Sequence, residues 1–220
     1  MPAPVHGLIF DMDGTIVDNM RFHDDAWEAW HRDYALPFDR AGFFARTAGR
    51  TNPEILAELF PGLPAEEIIR RGEEKEATYR RLYAAHVRPM TGLEGLLDAA
   101  DAGGIAMAVG TAAPPDNIAV VLDTLGLRPR FRTIVSPSQG FRGKPHPDMF
   151  LAAAERMGIA PETCIVFEDA PLGVEAARRA GMRAVAVETM LDASAFAGFD
   201  NVVATLRDFT AALPLLGPRS

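Results

Sequence analysis

The chain has 220 residues, 48% of them hydrophobic and 24% charged, with a formal net charge of −8. That is ordinary globular composition, long enough for one large domain or two small ones around a real core. The acidic balance argues against binding a nucleic-acid backbone, which needs a basic face. No apolar run reaches membrane-spanning length, and the opening residues carry no basic leader, so the cytoplasm is the expected compartment.

In chain order, the first element is an apolar strand, Gly7-Phe10, running straight into Asp11-Met12-Asp13-Gly14-Thr15. Strand alternation puts Asp11 and Asp13 on one face, and the glycine permits a sharp turn. Two close carboxylates repel, so the pair invites a divalent cation, and all-oxygen ligation suits magnesium. A carboxylate can also attack phosphorus. Taken alone, the string equally describes a solvated turn.

From about Asn19 to Val87 only helix signals occur. Asn52 followed by Pro53 reads as an N-cap and first helical position, and Pro64 opens a helix running to about Val87. Glu66 to Arg81 is a balanced run of acids and bases, the pattern of a solvated helix face, with Lys75 within it. The core pattern then resumes, with strands at Ile105-Val109, Thr133-Val135, Cys164-Phe167, Ala184-Val187 and Val202-Ala204. Between them run helices at Leu93-Ala102, Pro147-Met157 and Pro171-Ala180. Continuous apolar strands alternating with helices predict a doubly wound α/β parallel sheet, a Rossmann-like core with its chemistry at the carboxyl ends of the strands. Residues 1–18 and 88–220 are expected to form this core, and 19–87 an inserted α-helical cap domain.

Three more polar clusters fall at such ends. Val109-Gly110-Thr111 offers a hydroxyl and free amides to a phosphoryl oxygen. In Gly143-Lys144-Pro145-His146-Pro147-Asp148, turn residues lock a lysine whose ammonium could neutralise an anion; His146 reads as a loop or capping histidine. Val166-Phe167-Glu168-Asp169 sets two acids at a strand end, costly unless they are solvated or bind a cation; Asp169 could also be a helix cap. Cys164, the only cysteine, reads as a buried structural thiol. Each cluster alone has an ordinary explanation, but four at strand ends in one chain point to a ligand site.

The arrangement resembles the haloacid dehalogenase superfamily, and within it the β-phosphoglucomutase-like phosphatases and mutases, over nearly the whole chain and most weakly after Thr189. The resemblance implies Asp11 as nucleophile and Asp13 as general acid/base. It implies Thr111 and Lys144 as phosphoryl-binding residues, with Lys144 also serving catalysis. Magnesium would be held by Asp11, Asp13 (through its carbonyl), Glu168 and Asp169. His23 and Trp27 match a His-x-x-x-Trp segment of the cap; at i and i+4 they share a helix face, which suits either acid positioning or hinge packing. Lys75 matches a cap lysine that contacts sugar.

Mutases of this kind hold a second phosphate with a cap arginine and a Ser-Lys-Asn string. Here those positions are Asn52 and Ala113-Pro114-Pro115-Asp116-Asn117, with Arg50 close by. The expected function is therefore a magnesium-dependent phosphatase of a small phosphorylated metabolite, with a sugar phosphate mutase as the alternative. The missing second aspartate and metal of the superfamily's dehalogenases contrast with Asp13 and Asp169 here. Nothing in the sequence names a protein partner.

Overall fold

Six parallel strands form one sheet in the order β3-β2-β1-β4-β5-β6. The computed structural model describes residues 4–47 and 50–217; residues 1–3 and 218–220, included in the expected core, and 48–49, included in the expected cap, lie outside them. The strands are β1 (Gly7–Phe10), β2 (Ala106–Gly110), β3 (Thr133–Val135), β4 (Cys164–Glu168), β5 (Arg183–Val187) and β6 (Val202–Leu206). β1 lies at the centre, with Gly7 opposite both Ala106 and Cys164. The order reverses between β1 and β4, and ligands bind such sheets at this kind of crevice.

Side-chain alternation splits the core into two layers. Leu8, Phe10, Met107, Val109, Ile165 and Phe167 face one side, where helix α5 (Leu93–Ala102) and helix α6 (Pro115–Thr124) cover them. Ile9, Ala108, Val166 and Ala184 face the other, under α7 (Asp148–Met157) and α8 (Pro171–Arg179). Coverage on both faces explains why the strands are apolar without a break. Phe10 stacks on Phe167 at 4.9 Å between centroids, and Phe209 from the C-terminal turns closes over both.

Between β1 and α5 lie α1 (Met20–Asp33), α2 (Arg40–Thr47), α3 (Asn52–Leu59) and α4 (Ala65–Tyr83). They hold their own apolar cluster of Trp27, Trp30, Phe43, Ile55 and Leu56. No helix among the described residues is long and apolar enough to cross a membrane.

Several expected boundaries move. Thr51, not Asn52, caps α3: its N–H and hydroxyl both donate to Glu54 at 2.8 Å, so Asn52 sits inside the helix with its amide free to point sideways. The α4 helix stops at Tyr83 and passes into a 3-10 turn, Ala84–His86, rather than reaching Val87. Pro147 caps α7 from outside, and Ala180 caps α8. Helix α6 is an addition to the expected helices, with Pro115 at its first helical position.

Candidate active site

Asp11 leaves β1 at the sheet's carboxyl edge, its N–H bonded to Phe167 O at 2.9 Å. Met12 turns into the core, so Asp11 and Asp13 flank it and face the opening. Gly14, at φ 77°, makes the turn. A Cβ there would stand 2.0 Å from Asp169 Oδ2, so only glycine lets Asp169 come so close.

Lys144 is the hub. Its buried ammonium lies 2.5 Å from Asp11 Oδ1 and also pairs with Glu168. The second oxygen of Glu168 accepts from the N–H of Ala170 at 2.9 Å. Both Glu168 oxygens are thus engaged within the protein. Asp169 accepts no hydrogen bond from another described side chain. Thr111 is buried beside them at the end of β2, its hydroxyl oxygen taking the N–H of Ala113 at 3.1 Å.

The electrostatics follow from this crowding. Burial pushes the Asp11 carboxyl up against the opposing pull of Lys144, with Glu168 and Asp13 adding repulsion. Asp169 is raised by burial, then by Glu168 and Asp11. Lys144 is raised despite its burial because Asp11 and Glu168 surround it. Three buried acids therefore share one ammonium. Among the described residues no three His, Cys, Asp or Glu side chains form a ready metal cage. The surplus of buried carboxylate oxygen nevertheless fits a hard divalent cation.

One group that sequence reasoning did not single out, Asn19, holds Asp13. Asn19, fully buried, accepts from the N–H of Gly14 at 3.1 Å and donates to Asp13 Oδ1 at 2.6 Å. His23 Nε2 lies 3.7 Å from the same oxygen. Lys75 Nζ is 2.7 Å from His23 Nδ1. An ammonium only donates, so Nδ1 accepts and the ring proton sits on Nε2, facing Asp13. The imidazole stacks on Tyr79 with centroids 3.8 Å apart.

Lys75 is not on a solvated face. It is 2% exposed, 5.1 Å from the Trp27 ring centroid, and paired with Glu76 at 2.9 Å. The missed signal is the stripe Gly72, Lys75, Glu76, Tyr79, Tyr83, all buried at helical spacing on α4. Asn52 and Asn117 both donate to Glu76, each at 2.6 Å. Above the strand ends lies a cavity of about 410 Å³ with Asp11, Asp13, Thr111, Lys144, Glu168 and Asp169 at one end. His23, Trp27, Asn52, Lys75 and Glu76 also line it. So the helical insert supplies one wall and the sheet edge the other.

Residues 5–181 match the family model of the haloacid dehalogenase-like hydrolases. The chain is 37% identical over 188 residues to the fructose-1-phosphate phosphatase YqaB of Escherichia coli, covering 84% of this chain and 97% of that protein. It is 32% identical over 217 residues to the β-phosphoglucomutase of Bacillus subtilis, covering 94% and 92%. Among solved structures, the β-phosphoglucomutase of Clostridium difficile superposes with a TM-score of 0.82 at 25% identity, over 94% of this chain and 92% of that one.

Proposed function

The chain belongs to the haloacid dehalogenase-like hydrolases and is a phosphoric monoester hydrolase; on that premise, we propose that it hydrolyses small sugar monophosphates through a phosphoester of Asp11, with magnesium as cofactor. The observation that carries this reading is the convergence of Asp11, Thr111, Lys144 and Asp169 at the carboxyl edge of β1, β2 and β4, with Lys144 2.5 Å from Asp11.

In this mechanism the Asp11 carboxylate attacks phosphorus, forming an O–P bond as the ester O–P bond breaks. Asp13 gives its proton to the departing sugar oxygen. Its carboxylate then takes a proton from water, whose oxygen attacks phosphorus, frees inorganic phosphate and restores Asp11. Lys144 and the Thr111 hydroxyl neutralise and orient the phosphoryl oxygens. The His23 N–H, with its tautomer held by Lys75, faces Asp13 from 3.7 Å. Magnesium, when bound, is assigned to Asp11, Asp169 and the Asp13 carbonyl, and supplies charge neutralisation at the phosphoryl group. Glu168, with both oxygens engaged, is assigned to holding Lys144 rather than to the metal. The helices of residues 19–87 serve as a cap that excludes water from the acyl phosphate.

The hydrolase reading is favoured over the mutase by the fate of Asn52 and Asn117. Both amides are turned onto Glu76, so the positions that would grip a second phosphate present an acid instead. The test is release of inorganic phosphate from a panel of sugar monophosphates in magnesium, repeated with Asp11→Asn. We expect turnover by the parent and a loss of several orders of magnitude in the variant. No release from any ester would sink the reading. Faster formation of glucose 6-phosphate than of free phosphate, from β-glucose 1-phosphate with a trace of the 1,6-bisphosphate, would put the mutase in its place.

A further inference from the structure

We propose that Glu76 fixes the substrate class, admitting monophosphates whose far end is an uncharged polyol and excluding any second anionic group; this rests on the phosphatase reading above. Glu76 is 4% exposed, yet it lines the cavity from α4. Its Oε1 accepts from Asn52 at 2.6 Å and from Lys75 at 2.9 Å, and its Oε2 accepts from Asn117 at 2.6 Å. Burial alone would raise this carboxyl, but Lys75 and the bonded donors hold it down at about 2. The wall therefore presents an ionised carboxylate, already paired with the Lys75 ammonium, at any working pH.

No unpaired cation is left on this wall to receive a second anion. Besides Lys144 on the opposite wall, the lysines and arginines lining the cavity, among the described residues, are Arg50 and Lys75. Arg50 is tied to Glu58 at 2.8 Å, and Lys75 is shared between Glu76 and His23. Arg80, behind Asn117, donates to that amide's oxygen at 3.0 Å and lies 3.7 Å from Asp116. A second phosphate would meet a desolvated carboxylate and would have to strip donors from it. Opposed like charges inside a low-dielectric cavity are what a specificity filter needs.

Hydroxyls fit where an anion does not. A carboxylate offers about four acceptor sites, and Glu76 fills three, leaving one for a hydroxyl proton. The Asn52 amide has a second N–H and an oxygen with no partner among the described residues. Each can exchange a hydrogen bond with a sugar alcohol without moving a charge.

The experiment measures binding by calorimetry in magnesium on the Asp11→Asn background, where turnover does not intrude. The probes are fructose 1-phosphate and fructose 1,6-bisphosphate, which differ by one distal phosphate. We expect the monophosphate to bind at least about ten-fold tighter, and Glu76→Gln to shrink that gap below about three-fold, chiefly by tightening the bisphosphate. Asn52→Arg, which adds a cation beside Glu76, should shift the ratio the same way and serves if Glu76→Gln does not fold. A bisphosphate that binds the Glu76 protein as tightly as the monophosphate overturns the assignment, and so does a gap unchanged in both variants. If neither sugar binds that protein, only gained bisphosphate binding in a variant sustains the proposal, and its absence refutes it. Failure here leaves phosphate release intact, whereas failure of the phosphatase reading removes release from every ester.

Discussion

Helical glycine replaced by alanine ordinarily stabilises a protein by about 0.5–1 kcal/mol. Gly173, the third residue of α8, should do the reverse. A Cβ there would fall 1.8 Å from Glu168 Oε1 and 2.0 Å from its carboxyl carbon. The Glu168 side chain is fully buried, so it can yield only by leaving both Lys144 and the Ala170 N–H. Each charge-assisted hydrogen bond is worth about 1.5–3 kcal/mol, so two lost against one helix gain leaves a deficit of about 2–5 kcal/mol. At about 2–4 °C per kcal/mol for a chain of this size, the melting temperature should drop by about 4–20 °C. Lys144, released from one counterion, should also lose its set on Asp11, and kcat should fall at least about ten-fold. Gly95→Ala is the control, because a Cβ on that glycine of α5 meets nothing within 4 Å; it should raise the melting temperature by a few degrees and leave turnover alone. Thermal melts and phosphate release on both variants decide the matter. If Gly173→Ala melts at or above the parent and keeps its kcat, then Glu168 is not what holds Lys144.

Asp13→Ala should slow hydrolysis of sugar phosphates by about 10²–10⁴-fold and aryl phosphates much less, since aryl alcohols leave without a proton; equal losses would remove Asp13 as the acid. Excess chelator should silence the enzyme, magnesium should restore it and calcium should restore it poorly, because its larger shell disturbs the attack geometry; full activity in chelator refutes the metal assignment. His31 is buried among Trp27, Trp30 and Phe43 with Nδ1 2.8 Å from Trp27 O, and burial lowers its pKa. The unfolded chain therefore binds the proton first as pH falls, so stability is complete above the ordinary histidine value and declines below it. His31→Gln should flatten that acid-side decline in melts from pH 7.5 to 5; a parallel decline in both proteins counts against it.

Much of this architecture was legible because parallel strands buried on two faces leave unbroken apolar runs, and because the polar residues after them have no reason to cluster there except function. Asp11, Asp13, Thr111, Lys144, Glu168 and Asp169 were all found that way, and they converge. The insert was harder. Its acids and bases alternate so evenly along α4 that charge pattern cannot tell inward from outward, and Lys75 was read as solvated. The aromatic pair Tyr79 and Tyr83 marks the buried stripe, and carrying its period back would have turned Lys75 and Glu76 inward. Asn19 gives no such signal. It is one more polar residue after a turn until its contacts to Gly14, Asp13 and Tyr79 are seen.

The central position of β1 has a consequence for how the molecule is made. Gly7 and its neighbours leave the ribosome before their register partners, Ala106 and Cys164. At about 5–20 residues per second, the roughly 150 residues separating β1 from β4 take on the order of 10–30 s to synthesise. Through that interval Leu8, Ile9 and Phe10 have at most one flank paired, and Asp11 waits without Lys144, 133 residues further on. A nascent chain stalled before β4 should therefore hold an apolar strand open to chaperones, while one extended past α8 should not.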